Sequence, residues 1–147
     1  MIKHILTTAA LLCASSAWAG PIENVATSKK FFDSLNAGDM TAWIGTMATD
    51  VVTYEPVGMP PNKGHEGVMA WAANNAAMGF KSVQVDVHNI HPTSSENAIV
   101  WTTTFVLPND EAVEIQGVDI HQFGVDGLIK EVHAYLDPTP LMAVMGQ

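Results

Sequence analysis

The sequence has no arginine, six lysines and a single cysteine, Cys13, in 147 residues. Each shortage excludes something. Fifteen acidic residues face those six lysines, and the formal net charge is −9. A nucleic-acid binder needs a basic stripe to displace counterions from phosphates, and this chain has none. The same deficit disfavours phosphorylated ligands and anionic membranes. A neutral, apolar or weakly cationic small partner suits it better. There is no Gly-rich phosphate loop, no zinc-spaced Cys/His set and no Ser nucleophile elbow. No cofactor is expected, and no segment after residue 20 is apolar enough to span a bilayer.

What is present begins with a leader. Lys3 supplies a positive start, Ile5 to Ala14 is apolar, and Ala17-Trp18-Ala19 is a small-x-small cleavage site. Residues 1–19 therefore read as a secretory signal peptide, and a periplasmic or secreted protein is expected. Cleavage would remove Cys13, leaving no disulfide. It would also remove Lys3, leaving five lysines against fifteen acids. Residues 20–147 fit one domain.

Hydrophobic spacing predicts three helices first. Glu23 to Ala37 carries Val25, Phe32 and Leu35 at helical spacing and stops at Gly38. Asp39 can cap a second helix with Met40, Trp43, Ile44 and Met47 on one face. A third spans His65 to Met78, with Val68, Trp71 and Ala72 inward. Between the second and third lies a strand, Val51 to Glu55, ended by Pro56. After residue 80 the period becomes two. Lys81–Ile90, Asn97–Leu107, Ala112–Phe123 and Leu128–Leu136 read as strands, the last three as an antiparallel meander. The expected fold is α+β: three N-terminal helices on one face of a curved, mostly antiparallel sheet.

Strand parity then sorts the polar residues. Ile115, Gly117, Asp119, His121 and Phe123 share a face. If that face is the core, Asp119 must be hydrogen-bonded or protonated, because burying a bare carboxylate is costly. Ordinary readings stand beside this one: Asp119 on a solvated face, Glu55 as a turn residue, His121 as a structural histidine. Glu55, Asp119 and His121 have the ligand types of a metal site, but their spacing is weak evidence for one and no metal is expected.

Two stretches, FFDSLNAGDMTAWIGTMATDVVTYEPVGMPP and VDIHQFGVDGLIKEVHAY, resemble the steroid delta-isomerases and their SnoaL-like relatives. These share the cone-shaped nuclear transport factor 2-like fold. The marks are Asn36-Ala37-Gly38-Asp39, then Thr49-Asp50, then an acid-Pro-x-Gly-x-x-Pro run from Glu55, and a strand-turn-strand bearing Asp119. The resemblance implies that Glu55 is a general base that moves a proton next to a ketone. It implies that Asp119 is held protonated and donates to the enolate oxygen. Phe31 stands where the isomerases carry a donor tyrosine, and Met47 and Ala72 stand where some carry supporting tyrosines. His121 replaces a usually aromatic residue and can supply a donor. The expected pocket is lined by Phe31, Met47, Trp71, Thr102, Thr104 and Val132. An outward row of Trp101, Phe105 and Leu107 suggests a homodimer. The expected function is cofactor-free, isomerase-type proton transfer on a small apolar, steroid-like carbonyl compound. The alternative is a non-catalytic binding protein for a small apolar ligand.

Overall fold

The computed structural model describes residues 19–146; the expected signal peptide lies outside them apart from Ala19. Helix α1 (Pro21–Asn36) starts on a proline, whose fixed φ suits the first helical position. Glu23 folds back so that Oε2 accepts the Gly20 N–H at 3.0 Å, an acid at the positive end of the helix dipole. The buried stripe of α1 includes Asn24, Ser28, Phe31 and Phe32, so it is polar in its first half and aromatic in its second. Gly38, at φ +69°, turns the chain where a side chain would be strained. Asp39 Oδ1 then accepts the Ala42 N–H at 2.9 Å and caps α2 (Met40–Ile44).

Helix α2 is shorter than its spacing suggests. Thr46 Oγ1 donates to the Trp43 carbonyl at 2.6 Å, closing the helix. Met47, expected on the helical face, instead opens strand β1 (Met47–Tyr54). Gly45 weakens helical continuation, and the β-branched run Val51-Val52-Thr53 favours a strand.

The remaining elements are β2 (Asn62–Lys63), α3 (Gly64–Ala76), β3 (Ser82–Pro92), β4 (Glu96–Val106), β5 (Ala112–Phe123), β6 (Ile129–Leu136) and α4 (Thr139–Val144). Strands β3 to β6 lie within two residues of their expected limits, whereas β1 begins four residues early. The two-residue β2 and the short α4 carry no periodic signal of their own. The six strands form one sheet in the order β2-β1-β6-β5-β4-β3. Every neighbouring pair is antiparallel except β1 with β6, which is parallel. Phe31 and Phe32 of α1, Trp43 of α2 and Val68 of α3 join Ile99, Ile129 and Val132 of the strands in one buried cluster. No described helix is long and apolar enough to cross a membrane.

Candidate active site

Cross-strand register builds the site row by row. Residues paired across antiparallel strands project to the same face. One row is Ile99–Asp119–Ala134, the next Asn97–His121–Val132, and the next Trp101–Gly117–Leu136. All three face the helices. Asp119 is only 6% exposed and His121 is fully buried. The inward reading of Asp119 and His121 therefore holds.

The same register corrects the neighbouring strand. Thr102 pairs with Gln116 and Thr104 with Glu114, so both threonines project to the outer face and cannot line a pocket with Asp119. Thr102 Oγ1 instead meets His88 Nε2 at 2.8 Å. Trp101, expected outward, is inside and 6% exposed, and Leu107 is buried as well. The reason is Gly117. With no side chain on β5 at that point, the indole lies flat across the strand. Its Nε1 then donates to Asp119 Oδ1 at 2.8 Å. An indole N–H can only donate, so this carboxyl oxygen is held as an acceptor.

Glu55 reaches the same face by simple alternation. Tyr54 pairs with His133 on β6, and the two rings stack on the outer side at 4.7 Å. The next residue, Glu55, therefore points inward at the level of Ala134, the partner of Asp119. The Val57 N–H, donating to the Ala134 carbonyl at 2.8 Å, fastens the turn there. Part of Glu55 reaches the surface, but its Oε1 is buried and has no hydrogen-bond partner among the described residues. Burial, and then the charge of Asp119, push the Glu55 carboxyl up from 4.5 to about 8, against an opposing contact with Thr53. The expectation was an ionised Glu55 beside a protonated Asp119. Near neutral pH the desolvated Glu55 keeps its proton instead.

His121 lies next to this pair. Its Nε2 is 3.7 Å from Asp119 Oδ2, beyond hydrogen-bond reach, and has no partner among the described residues. Phe31 meets the imidazole edge-on at 4.8 Å and Phe32 stacks on it at 5.6 Å. Of the expected lining residues, Phe31, Met47 and Val132 are buried, and Trp71 packs partly buried against the same core. Two clefts, about 290 Å³ beside Met40 and Met69 and about 460 Å³ between Phe32 and Ile90, are lined by neither acid. Glu55 is half-buried, and the turn that follows it carries the exposed apolar side chains of Val57 and Met59. Among the described residues no group of three or more His, Cys, Asp and Glu is arranged to hold a metal ion.

Sequence reasoning overlooked Trp101 as the partner of Asp119, and Ser28 and Asn97 behind His121. The signal for Ser28 was available: with Asn24 it occupies the helical stripe that continues into Phe31, Phe32 and Leu35. Polar residues on such a stripe are buried and must find partners.

A helix-covered, curved mixed sheet of this kind is the nuclear transport factor 2-like architecture. The family model for the SnoaL-like domain matches residues 29–132, and the chain belongs to that family. A Burkholderia pseudomallei NTF2-like protein of unknown function has a similar structure: TM-score 0.75, 14% identity, 85% of this chain and 98% of that one. A Mycobacterium tuberculosis protein, solved in complex with estradiol-17beta-hemisuccinate, superposes with TM-score 0.71 at 23% identity over 83% of this chain and 98% of that one. The delta 5-3-ketosteroid isomerase from Mycobacterium sp. does so with TM-score 0.68 at 21% identity over 83% and 97%. A comparison with curated proteins finds no match.

Proposed function

We propose that the protein catalyses isomerase-type proton transfer on a small apolar, steroid-like carbonyl compound, with Glu55 as the base. The observation that carries this reading is the buried, unpartnered Oε1 of Glu55, on a carboxyl whose pKa is raised to about 8 beside Asp119. A buried polar atom without a partner calls for an explanation, and a perturbed acid in such a place is a functional candidate. Once ionised, Glu55 is a stronger base than an ordinary carboxylate. It takes the proton from the carbon beside the carbonyl, the C–H electron pair moves to form the enolate, and Glu55 returns the proton to another carbon. Asp119 beside it raises the carboxyl's pKa and so strengthens the base, and Nε2 of His121, buried and without a partner among the described residues, can donate to the enolate oxygen.

An apolar substrate is supported by the exposed side chains of Val57 and Met59 and by the acidic, arginine-free chain. The similar proteins lend support too, one being a ketosteroid isomerase and another holding an estradiol ester. The test is hydrogen–deuterium exchange at the carbon beside the carbonyl across a panel of enones and steroid ketones. Wild type should exchange faster than Glu55→Gln, and equal rates throughout the panel would refute the proposal.

A second reading, binding without turnover, is favoured by Phe31 at the position of the isomerases' donor tyrosine. Saturable steroid binding together with equal exchange rates in the two proteins would select it.

Two further parts belong to the proposal. The first is a homodimer across the outer sheet face. There Val100, Val118 and Tyr135 form one cross-strand row, with Val100 37% and Tyr135 51% exposed. Val118→Glu should halve the mass seen in sedimentation equilibrium, and an unchanged mass would argue against this face. The second is export: Lys3, the apolar run and Ala17-Trp18-Ala19 support cleavage after Ala19 and a periplasmic or secreted location. Sequencing the N-terminus of the exported protein should begin at Gly20.

A further inference from the structure

We propose that Ser28 and Asn97 are positioning residues that hold the ring proton of His121 on Nε2, making this histidine a hydrogen-bond donor to the substrate oxygen. The tautomer rests on geometry alone. Its catalytic consequence rests on the proton-transfer reading above.

His121 is fully buried, and Phe31 and Phe32 fix the plane of its ring. Its Nδ1 lies 3.1 Å from Ser28 Oγ, and the Asn97 amide donates from Nδ2 to the same oxygen at 2.9 Å. Ser28 and Asn97 are themselves fully buried, away from bulk water. A hydroxyl has one proton to give. Among the described residues its hydrogen bonds run to Asn97 and His121, and Asn97 approaches as a donor. The hydroxyl proton therefore goes to Nδ1. With Nδ1 occupied as an acceptor, the neutral ring carries its proton on Nε2. With the Asn97 amide donating, the opposite tautomer would leave the Ser28 proton buried with nothing to accept it.

Nε2 is the end on the Asp119 side. It is buried, without a partner among the described residues, and 3.7 Å from Asp119 Oδ2. A desolvated donor aimed into the site is the arrangement that stabilises charge developing on oxygen. The direction of the whole chain depends on Asn97. If its amide were turned over, Oδ1 would accept from Ser28, Ser28 would accept from Nδ1–H, and Nε2 would become an acceptor. A carboxylate at this position can only accept, so Asn97→Asp should impose that reversed state.

The first measurement is a long-range proton–nitrogen correlation on the ¹⁵N-labelled full chain, with the His121 signals assigned by their loss in His121→Phe. The proposal expects a proton on Nε2 and none on Nδ1. A proton on Nδ1, or on both nitrogens at neutral pH, overturns it whatever the protein catalyses. The second measurement is kinetic. Ser28→Ala and Asn97→Asp should lower kcat for ketone exchange about 100-fold with KM nearly unchanged, the usual effect of losing one oxyanion donor. Ser28→Thr, which keeps the hydroxyl, should retain most of kcat. Full kcat in Ser28→Ala, or in an Asn97→Asp protein whose spectrum shows the reversed tautomer, overturns the donor role. If Asn97→Asp does not fold, the wild-type spectrum and Ser28→Ala decide the matter. Wild type without exchange activity would instead count against the base reading of Glu55, and the spectrum would still report the tautomer.

Discussion

Glu55→Gln is expected to lose about 100- to 10,000-fold in ketone exchange, the range a positioned general base contributes, and yet to melt higher than wild type at alkaline pH. Both effects come from one carboxyl. Unfolded, Glu55 releases its proton near 4.5; folded, it holds it to about 8. Between those values the unfolded chain binds fewer protons than the folded one, so stability falls as pH rises through this window. Below it both states are protonated and the group contributes no difference. Above it both are ionised and the folded state keeps the full penalty. The full shift sets the ceiling, and part of Glu55 reaches the surface, which lowers the net effect to roughly 2–4 kcal/mol. Glutamine has nearly the same shape and no charge to bury, so it escapes that penalty. At pH 9 the variant should melt about 10 °C above wild type, and the two should converge near pH 4. The measurement is a pair of calorimetric melts at each pH. Equal melting temperatures at pH 9 would mean that Glu55 ionises freely in the folded protein.

The wild-type rate should follow the same titration. With a carboxyl near 8, only about one-tenth of the protein holds the base form at pH 7, so exchange should climb nearly tenfold per pH unit and level off above 8. Burial raises this value most, the Asp119 charge raises it further and the Thr53 side chain lowers it. A residue that weakens the fold where it is ionised and is needed where it reacts fits the general opposition between stability and activity.

How far the sequence could be read depends on which interaction decides each feature. The long strands and the inward face of β5 were legible because alternation is local: each residue's neighbours two places away report its face. Alternation alone left Glu55 an ordinary turn residue before Pro56, and only the family resemblance marked it as a site residue. The inward face of β4 was not legible. Its run Trp101-Thr102-Thr103-Thr104-Phe105 offers two usable faces, and nothing within the run chooses between them. The choice is made by Gly117 on the next strand, which has room for an indole, so the deciding fact is a pairing rather than a pattern. Met47 failed in a related way, because helical spacing ran on across Gly45 into residues that belong to a strand. The proton's place on Glu55 was also hidden, since it depends on how deeply Oε1 sinks and how near Asp119 lies. Both are properties of the closed sheet.

Gly117 therefore carries the second large expected effect. A Cβ on Gly117 would sit 2.4 Å from Trp101 Cζ2 and 2.6 Å from Cη2, distances real side chains do not tolerate. The indole is nearly fully buried and cannot swing aside freely. Gly117→Ala must push it off β5 and break its bond to Asp119 Oδ1, the direct protein partner of that oxygen in the structure. Overpacking of a filled core costs about 1–3 kcal/mol. Leaving a buried acceptor unpaired adds about 1–3 kcal/mol. The sum, roughly 2–6 kcal/mol, corresponds to a fall in melting temperature of the order of 10–20 °C for a domain of this size. Tryptophan fluorescence should shift to the red as the indole meets water. Trp101→Leu alone removes the bond and meets no steric conflict, which exists only when a side chain at 117 faces the indole at 101. In Gly117→Ala combined with Trp101→Leu the clash is gone, so the double variant should be more stable than the two separate losses added together, by at least 1 kcal/mol. Additive losses would show that the indole does not rest on Gly117, and that Asp119 is held by some other contact.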